Sequence, residues 1–496
     1  MSLLLNRAVL DERGRGRLDE VHGAPVTILQ IGEGNFLRGF TDWMIQVCRN
    51  QGLFSGSIAV VQPRPSGRAK IEKLAAQDGM YTLVTQGLEN GQEVCRKETI
   101  GVFSQAFDPY SQWKRLLELA SSPELRIVIS NTTEAGLVYR PEELSGGPIQ
   151  SYPGKIAYLL YERYKAFRGD PEKGLILLPC ELLERNGDVL RAAVLQYAKD
   201  WEFPAAFHDW INQHNRFLSS LVDRIVPGYP EEAQAEAWFQ EWGYRDEMLC
   251  TAEPYHLWAI EAEPELEAVL PLRKAGLNVH WTDDLKPFQQ QKVRILNGAH
   301  TWMAPLGILH DIEHVRAFME HPELGAAVRE TVGSDIVPAL PYAENELKAY
   351  ADSVFDRFGN PYIRHRLADI AMNSMGKFSV RLLPTLAHYA ESGEPIPARL
   401  ALGLAALLRY YKVTKGMDGE FTGMSLKGMR YVVRDDLNAL DRIAGYWQAA
   451  GASNADAVGA ILADKELWGI DPASWSGLAE SVIEQLEALE RGEGNE

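Results

Sequence analysis

Few cysteines, no long apolar run and a deficit of positive charge mark this 496-residue chain. The four cysteines, Cys48, Cys95, Cys180 and Cys250, stand far apart and form no C-x-x-C pair. That spacing excludes a zinc ribbon, a redox dithiol and a secreted disulfide scaffold, and fits a reducing cytoplasm. The longest apolar stretch, Leu400 to Leu408, is flanked by Arg399 and Arg409; it falls well below the ~18 residues that span a bilayer and reads as a buried helix. Only three leucines precede the first charges at the N-terminus, too few for the core of a signal peptide. Lys and Arg number 50 against 68 Asp and Glu, a net charge of -18. Such a charge repels phosphate backbones and anionic lipid, so neither nucleic acid nor a membrane is an expected partner. An anionic substrate or cofactor would need its cations locally.

The chain does have apolar residues in ordinary proportion, 46%, with 24% charged, as in a soluble globular protein. Its length exceeds the roughly 250 to 300 residues at which single cores stop growing, so at least two domains are expected. The first half alternates β-branched runs with helical segments, the pattern of βαβ units in a parallel sheet covered on both faces. Strands are predicted at Val26 to Ile31, Ser57 to Gln62, Tyr81 to Gln86, Leu125 to Ser130, Leu175 to Pro179 and Leu277 to Trp281. From Phe288 onward helical periodicity dominates, and the final ERGEGNE reads as a frayed tail. The expected fold is α/β: a Rossmann-like, doubly wound parallel sheet over residues 1–286, then a mainly α-helical domain over 287–496.

The segment VTILQIGEGNFLRGF sets Gly32 and Gly34 directly after a strand and before a helical run. This is the context of a dinucleotide fingerprint, in which glycines permit a tight turn and close approach of a pyrophosphate to backbone N–H groups at a helix N-terminus. The third glycine is replaced by Leu37, which predicts looser packing of helix on strand. The acid that would hold the ribose hydroxyls at the end of the second strand is also missing: that position is Gln62, with Arg64 nearby. The fingerprint therefore leaves NAD and NADP both open, and G-x-G by itself also fits an ordinary strand-to-helix turn.

Further on, QQQKVRILNGAHTWM carries Lys292, Asn297 and His300 on an expected helix. At about 100° per residue they fall near 0°, 140° and 80°, on one broad arc. Reduction of a ketone by hydride needs a proton donor at the developing alkoxide and a second group to stabilise its charge; a lysine ammonium and an asparagine amide supply both. For that role the lysine should sit in a partly desolvated site. The bland alternative is a surface lysine, an Asn-Gly pair and a core histidine. A rival chemistry is written in LHDIEHV, where His310, Glu313 and His314 form H-x-x-E-H, the inverted zinc-peptidase order, on an expected helix.

Four stretches together resemble the polyol-specific long-chain dehydrogenases of the mannitol dehydrogenase family: GEGNFLR from Gly32, NTTEAG from Asn131, FLSSLVDRIVP from Phe217 and KVRILNGAH from Lys292. The resemblance implies a reversible, NAD-linked interconversion of a secondary alcohol and a ketone without a catalytic metal. It places Gly32, Gly34, Asn35, Phe36, Arg38, Gln62, Thr133 and Glu134 at the cofactor. Lys292 becomes the general acid in reduction and base in oxidation, Asn297 the oxyanion donor, His300 a substrate-orienting partner, and Asp223 a contact to sugar hydroxyls. The wording SNTTEAG, PCELLERNGD, TAEPYHLWAIE and RFGNPYIRHRL is similar to the subgroup that acts on sugar acids. Where mannitol-specific members have C-D-N, this chain has Cys180, Glu181 and Leu182, so a second oxyanion asparagine is replaced by Leu182. A sugar acid also needs a cation for its carboxylate, for which an arginine fork is best shaped; Arg357 and Lys377 are the candidates. No coiled-coil heptad is sustained, and the oligomeric state is not legible.

Overall fold

Residues 3–451 and 453–492 are described by a computed structural model. The chain forms two units, one made of Met1–Gln86 and Glu93–Leu285, the other of Gly87–Gln92 and Lys286–Glu496.

In the first unit six strands lie in one sheet: β1 (Val26–Ile31), β2 (Ser57–Val61), β3 (Phe103–Phe107), β4 (Ile127–Ser130), β5 (Ile176–Pro179) and β6 (Arg216–Phe217). Every pairing is parallel and the order is 3-2-1-4-5-6, that of a dinucleotide-binding doubly wound sheet. The continuous apolar runs have a direct cause. Ile28, Ile58, Val60, Ile127 and Ile129 point into one core; their neighbours Leu29, Ala59, Val61 and Val128 point into another. Both faces are buried, so no polar alternation survives. Helices Thr41–Asn50 and Arg68–Ala76 close the first face; Trp113–Ala120, Tyr152–Ala166 and Asn186–Asp200 close the second. Register aligns Ile31 with Val61 and Ser130, and Ser130 with Pro179, so four strands end at one level. The order reverses between β1 and β4, the crevice where such sheets bind ligands.

Two predicted strands form but belong elsewhere. Tyr81–Glu89 lies between Gln92–Ile100 and Cys250–Ala252, and Val279–Thr282 pairs with Leu257–Glu261 in a sheet completed by Ser220–Asp223. The third strand of the main sheet is instead Phe103–Phe107, FSQAF, whose three central residues are only half-buried and carry no β-branched signal.

The second unit is mainly helical, as expected, and is built around Asn297–Leu309, which is buried on nearly every side. The apolar run at Leu400 lies in helix Ala398–Tyr410. Gly403 lets the two helices meet, since a Cβ there would stand 2.2 Å from Trp302 Cδ1, and the Trp302 indole N–H donates to Arg399 O at 2.8 Å. Helical periodicity gave no sign of the antiparallel sheet Thr414–Lys415, Phe421–Met424 and Arg430–Val433. The expected tail is corrected in part: Glu490 and Arg491 end helix Leu478–Arg491, and Glu490 bridges Arg409 and Lys412 at 3.0 Å each. Positions 493–496 lie outside the described residues. No helix among the described residues is long and apolar enough to cross a membrane.

Candidate active site

At the end of β1 Gly32 takes φ +132, where side chains are strained, and donates its N–H to Val61 O at 2.9 Å. A Cβ on Gly32 would stand 3.0 Å from Asn131 O and 3.3 Å from Leu37 Cδ1. Leu37 thus packs over Gly32, and the expected gap between helix and strand does not arise, because the first glycine makes room for the missing third. Gly34 is different: its φ of -65° is ordinary and a Cβ would meet nothing within 4 Å. Its lack of a side chain leaves open space in front of the turn, as a ligand's approach requires. The helix that follows is short, Asn35–Arg38, and breaks at Gly39, whose Cβ would stand 2.6 Å from Val226 Cγ1.

Of the residues expected at the cofactor, two are committed to the fold. Arg38 is buried, donating to Met248 O, to Glu33 O at 3.3 Å and to Asn35 Oδ1 at 2.8 Å. Phe36 stacks on Phe40 with centroids 4.9 Å apart. Gln62 is buried at the end of β2, its amide N–H donating to Asp108 Oδ1 at 2.6 Å. Beyond β4, Thr133 holds φ 150° and ψ 165°, a region almost reserved for glycine and worth ~1 to 3 kcal/mol of strain. Thr133 and Glu134 are both exposed. The strain is braced from β5: buried Glu181 accepts from the Thr132 N–H at 2.8 Å, Thr132 Oγ1 at 3.0 Å and Ser130 Oγ at 3.1 Å. A cavity of about 160 Å³ opens here, lined among others by Arg64, Thr132, Thr133, Gln150 and Tyr152. Behind it, wholly buried Lys155 donates to Pro63 O at 3.2 Å, Gln150 O at 2.7 Å and Tyr110 Oη at 2.8 Å, tying the loops after β2 and β3 together. Burial brings its pKa down to about 7.

These features fit a dinucleotide. The strand order provides the crevice, Gly34 the open approach, and two enclosed acceptors, Glu33 Oε2 and Gln62 Oε1, have no hydrogen-bond partner.

In the second unit the segment Gln291–Leu296 is a π-helix, leading into the α-helix Asn297–Leu309. The α-helical angles expected for Lys292, Asn297 and His300 therefore do not hold. The Asn297 N–H donates to Lys292 O, five residues back, so the wider turn brings these two residues closer to one face than in an α-helix, which would set them about 140° apart. Arg294 anchors the π turn, its Nε 3.2 Å from Thr385 Oγ1. The junction is held by a relay: Arg381 Nη1 donates to Thr301 Oγ1 at 3.0 Å, and Thr301 Oγ1 donates to Asn297 O at 2.8 Å.

His300 is buried, with Phe358 tilted against it at 4.4 Å and His365 edge-on at 4.8 Å. Its Nε2 is enclosed and has no partner. Burial, then the nearby positive charges of His365, Arg357, Arg381 and Lys377, hold its pKa well below the usual histidine value. Among the groups whose charge reaches His300 are Arg357 and Lys377, the two expected substrate cations, and Arg381; His365, edge-on to the ring, has its own pKa lowered by burial. Lys377 and Arg381 stand one turn apart on Ser374–Arg381, and burial lowers both.

Comparison with known proteins reaches the same chain from another side. The Mannitol dehydrogenase Rossmann domain matches residues 26–274 and the Mannitol dehydrogenase C-terminal domain matches 284–490. The chain belongs to the mannitol dehydrogenase family. It is 43% identical over 448 residues to altronate oxidoreductase of Bacillus subtilis, covering 90% of this chain and 89% of that one. Altronate oxidoreductase of Halalkalibacterium halodurans is 40% identical over 471 residues, with coverage of 94% and 91%. Among solved structures, mannitol 2-dehydrogenase of Pseudomonas fluorescens in ternary complex with NAD and D-mannitol is 25% identical with a TM-score of 0.63, covering 96% and 94%. A substrate-free D-sorbitol dehydrogenase shares the fold with a TM-score of 0.73 at 23% identity, covering 96% and 95%. The protein is a dehydrogenase of this family.

For a mannitol dehydrogenase family member the V-D-R-I stretch has a structural purpose that its sequence conceals. Arg224 donates to Gly39 O at 2.7 Å and to Glu253 O at 2.8 Å, and Val226 fills the space over Gly39. The motif thereby sets where the helix after the glycine turn breaks. Asp223 is buried at the end of Ser220–Asp223, in the first unit, whereas Lys292 belongs to the second. Leu182 is 66% exposed beyond β5. The H-x-x-E-H stretch loses its required geometry. The helix ends at Leu309, Asp311 takes φ +59, and His314 caps the next helix, so the histidines do not share a helical face. The described residues contain no group of three or more side chains placed to hold a metal.

Proposed function

We propose that this chain is an NAD-dependent altronate oxidoreductase, interconverting D-altronate and D-tagaturonate in hexuronate catabolism in the cytoplasm. The observation that carries the sugar-acid reading is the cationic surround of His300. In a chain of net charge -18, the positive charges of Arg357, Lys377 and Arg381 all act on one buried imidazole whose Nε2 has no partner and against which His365 packs edge-on. A neutral polyol gives no reason to gather those charges; a substrate carboxylate does.

When bound, the nicotinamide supplies or accepts the hydride. The residues of this chain handle the proton and the negative charge. In ketone reduction the Lys292 ammonium donates its proton to the oxygen that was the carbonyl, and in alcohol oxidation its amine takes that proton back. Asn297, held one π turn above Lys292, donates its amide N–H to the same oxygen. His300 remains neutral at physiological pH and orients the substrate through Nε2. Arg357 and Lys377 take the carboxylate, Asp223 a sugar hydroxyl, and Thr133 and Glu134 line the cofactor side. No metal takes part.

Fructuronate reduction is the second reading, because the cationic surround serves either uronate, and mannitol 2-dehydrogenase activity the third. The test follows NADH and NADPH absorbance with tagaturonate, fructuronate and fructose side by side. Tagaturonate with NADH should give the highest kcat/KM, undiminished by a chelator; a preference for fructose would overturn the sugar-acid reading.

A further inference from the structure

The acid normally found on the ribose hydroxyls at the end of the second strand is absent from this chain, where Gln62 stands in its place. Buried polar atoms without partners lie at and beside that position. The amide of Gln62 has one possible orientation: Asp108 Oδ1 already accepts from the Tyr110 N–H at 3.0 Å, and a carboxylate oxygen can only accept, so Gln62 turns its N–H to Asp108 at 2.6 Å. Its Oε1 is then left as an acceptor, enclosed and unpartnered. Glu33, between the two glycines, is 7% exposed and its Oε2 is likewise enclosed and unpartnered. The two side chains meet at Gly67, on the loop after β2: the point where a Cβ would stand lies 3.0 Å from Glu33 Oε1, 2.7 Å from Gln62 Cβ and 3.0 Å from Gln62 Cγ. Any larger residue at 67 would fill that point. The site therefore joins two acceptors short of donors, at the tip of β2, in a sheet whose order sets a nucleotide's ribose there.

Resting on the dinucleotide reading above, we infer that Glu33, paired with Gln62, is the specificity-determining acceptor for the 2′,3′-diol of the cofactor's adenosine ribose and excludes a 2′-phosphate. A diol brings two O–H donors to two acceptors. A phosphate brings only acceptor oxygens and negative charge to two acceptors, with Arg38, Arg64 and Lys70 as the nearby cations. The terminal torsion of a glutamate turns with little resistance, so Oε2 can follow the hydroxyl.

The test is equilibrium titration of NADH and NADPH by fluorescence, without substrate, for the wild type and Glu33→Gln. Wild type should bind NADH at least ~10-fold tighter than NADPH, and Glu33→Gln should weaken NADH by about 10-fold or more while narrowing the ratio, the size expected for one charged hydrogen bond. An unchanged ratio in a folded variant overturns the assignment of Glu33. Should the variant not fold, the cut is made on the ligand. An NADH analogue lacking the adenosine 2′-hydroxyl should bind wild type about 10-fold more weakly than NADH, and equal binding overturns the proposal. Failure of wild type to bind either cofactor would instead overturn the dinucleotide reading itself.

Discussion

Around the glycine turn the enclosed atoms without partners include the acceptors Glu33 Oε2 and Gln62 Oε1, whereas the charges that act on His300 are the cations Arg357, Lys377 and Arg381. One acidic chain therefore holds two local environments of opposite character, and neither follows from its net charge. Bulk charge sets long-range behaviour and is screened within about 8 to 10 Å; at contact distance, which side chains a turn or a helix face brings together decides what is bound. The two regions also reach their geometry by different means. The first uses glycines where a Cβ would collide, at Gly32, Gly39 and Gly67. The second uses one extra residue per turn in Gln291–Leu296.

If the division of labour holds, changes in the second region should remove chemistry and spare cofactor binding. Lys292→Ala is expected to lower kcat by about 10² to 10⁴, the range for losing a general acid, with the NADH dissociation constant unchanged. Substantial remaining turnover would break the contrast. In the first region Lys155 gives a pH signature without chemistry. Its pKa of about 7 in the fold lies below the ordinary lysine value of 10.5, burial being the main cause. The folded state then binds fewer protons than the unfolded state between those values, so this group's contribution to stability improves as pH rises from about 7 toward 10.5 and is least favourable below 7. Between pH 7 and pH 9 wild type should gain roughly 2 to 3 kcal/mol of unfolding free energy relative to Lys155→Met, as read from urea titrations at each pH. Parallel pH profiles for the two proteins would count against the buried charge.

Smaller effects sharpen the comparison further. Arg357→Ala should raise KM for the uronate by about 10- to 100-fold, the loss of a charge-assisted bond, and leave KM for a neutral ketose nearly unchanged. Equal changes for both substrates would separate Arg357 from the carboxylate. The smallest change expected is at Thr133. Replacing it with glycine relieves backbone strain against a glycine's own entropic cost, for a net stabilisation of about 1 kcal/mol in denaturant unfolding. Destabilisation would show that the Thr133 side chain contributes more than its backbone costs.

The sequence made the β1 turn legible because glycine spacing after an apolar run is a local signal. It also suggested β2, β4 and β5, whose two-sided burial leaves unbroken apolar runs. It did not show β3, since FSQAF is half-polar, nor which sheet Tyr81–Glu89 joins, because pairing is decided by contacts distant in sequence. The constellation at Lys292 was legible as residue types and misread as geometry: five residues fall about 140° apart in an α-helix and much closer to one face in the wider π-helix. Arg381 and His365 carried no local signal at all. They act on His300 because Ser374–Arg381 and the segment after Glu344–Phe358 bring them near it.

The π turn makes this stretch unusually sensitive to a change in residue number. A surface loop absorbs an inserted or deleted residue, but here the register between Lys292 and Asn297 is the hydrogen bond itself. Deleting one residue between them would replace that bond with the four-residue bond of an ordinary α-helix, which sets its two residues about 40° apart about the axis. Substitutions in this segment can leave that backbone bond in place; an insertion or deletion changes which residues make it.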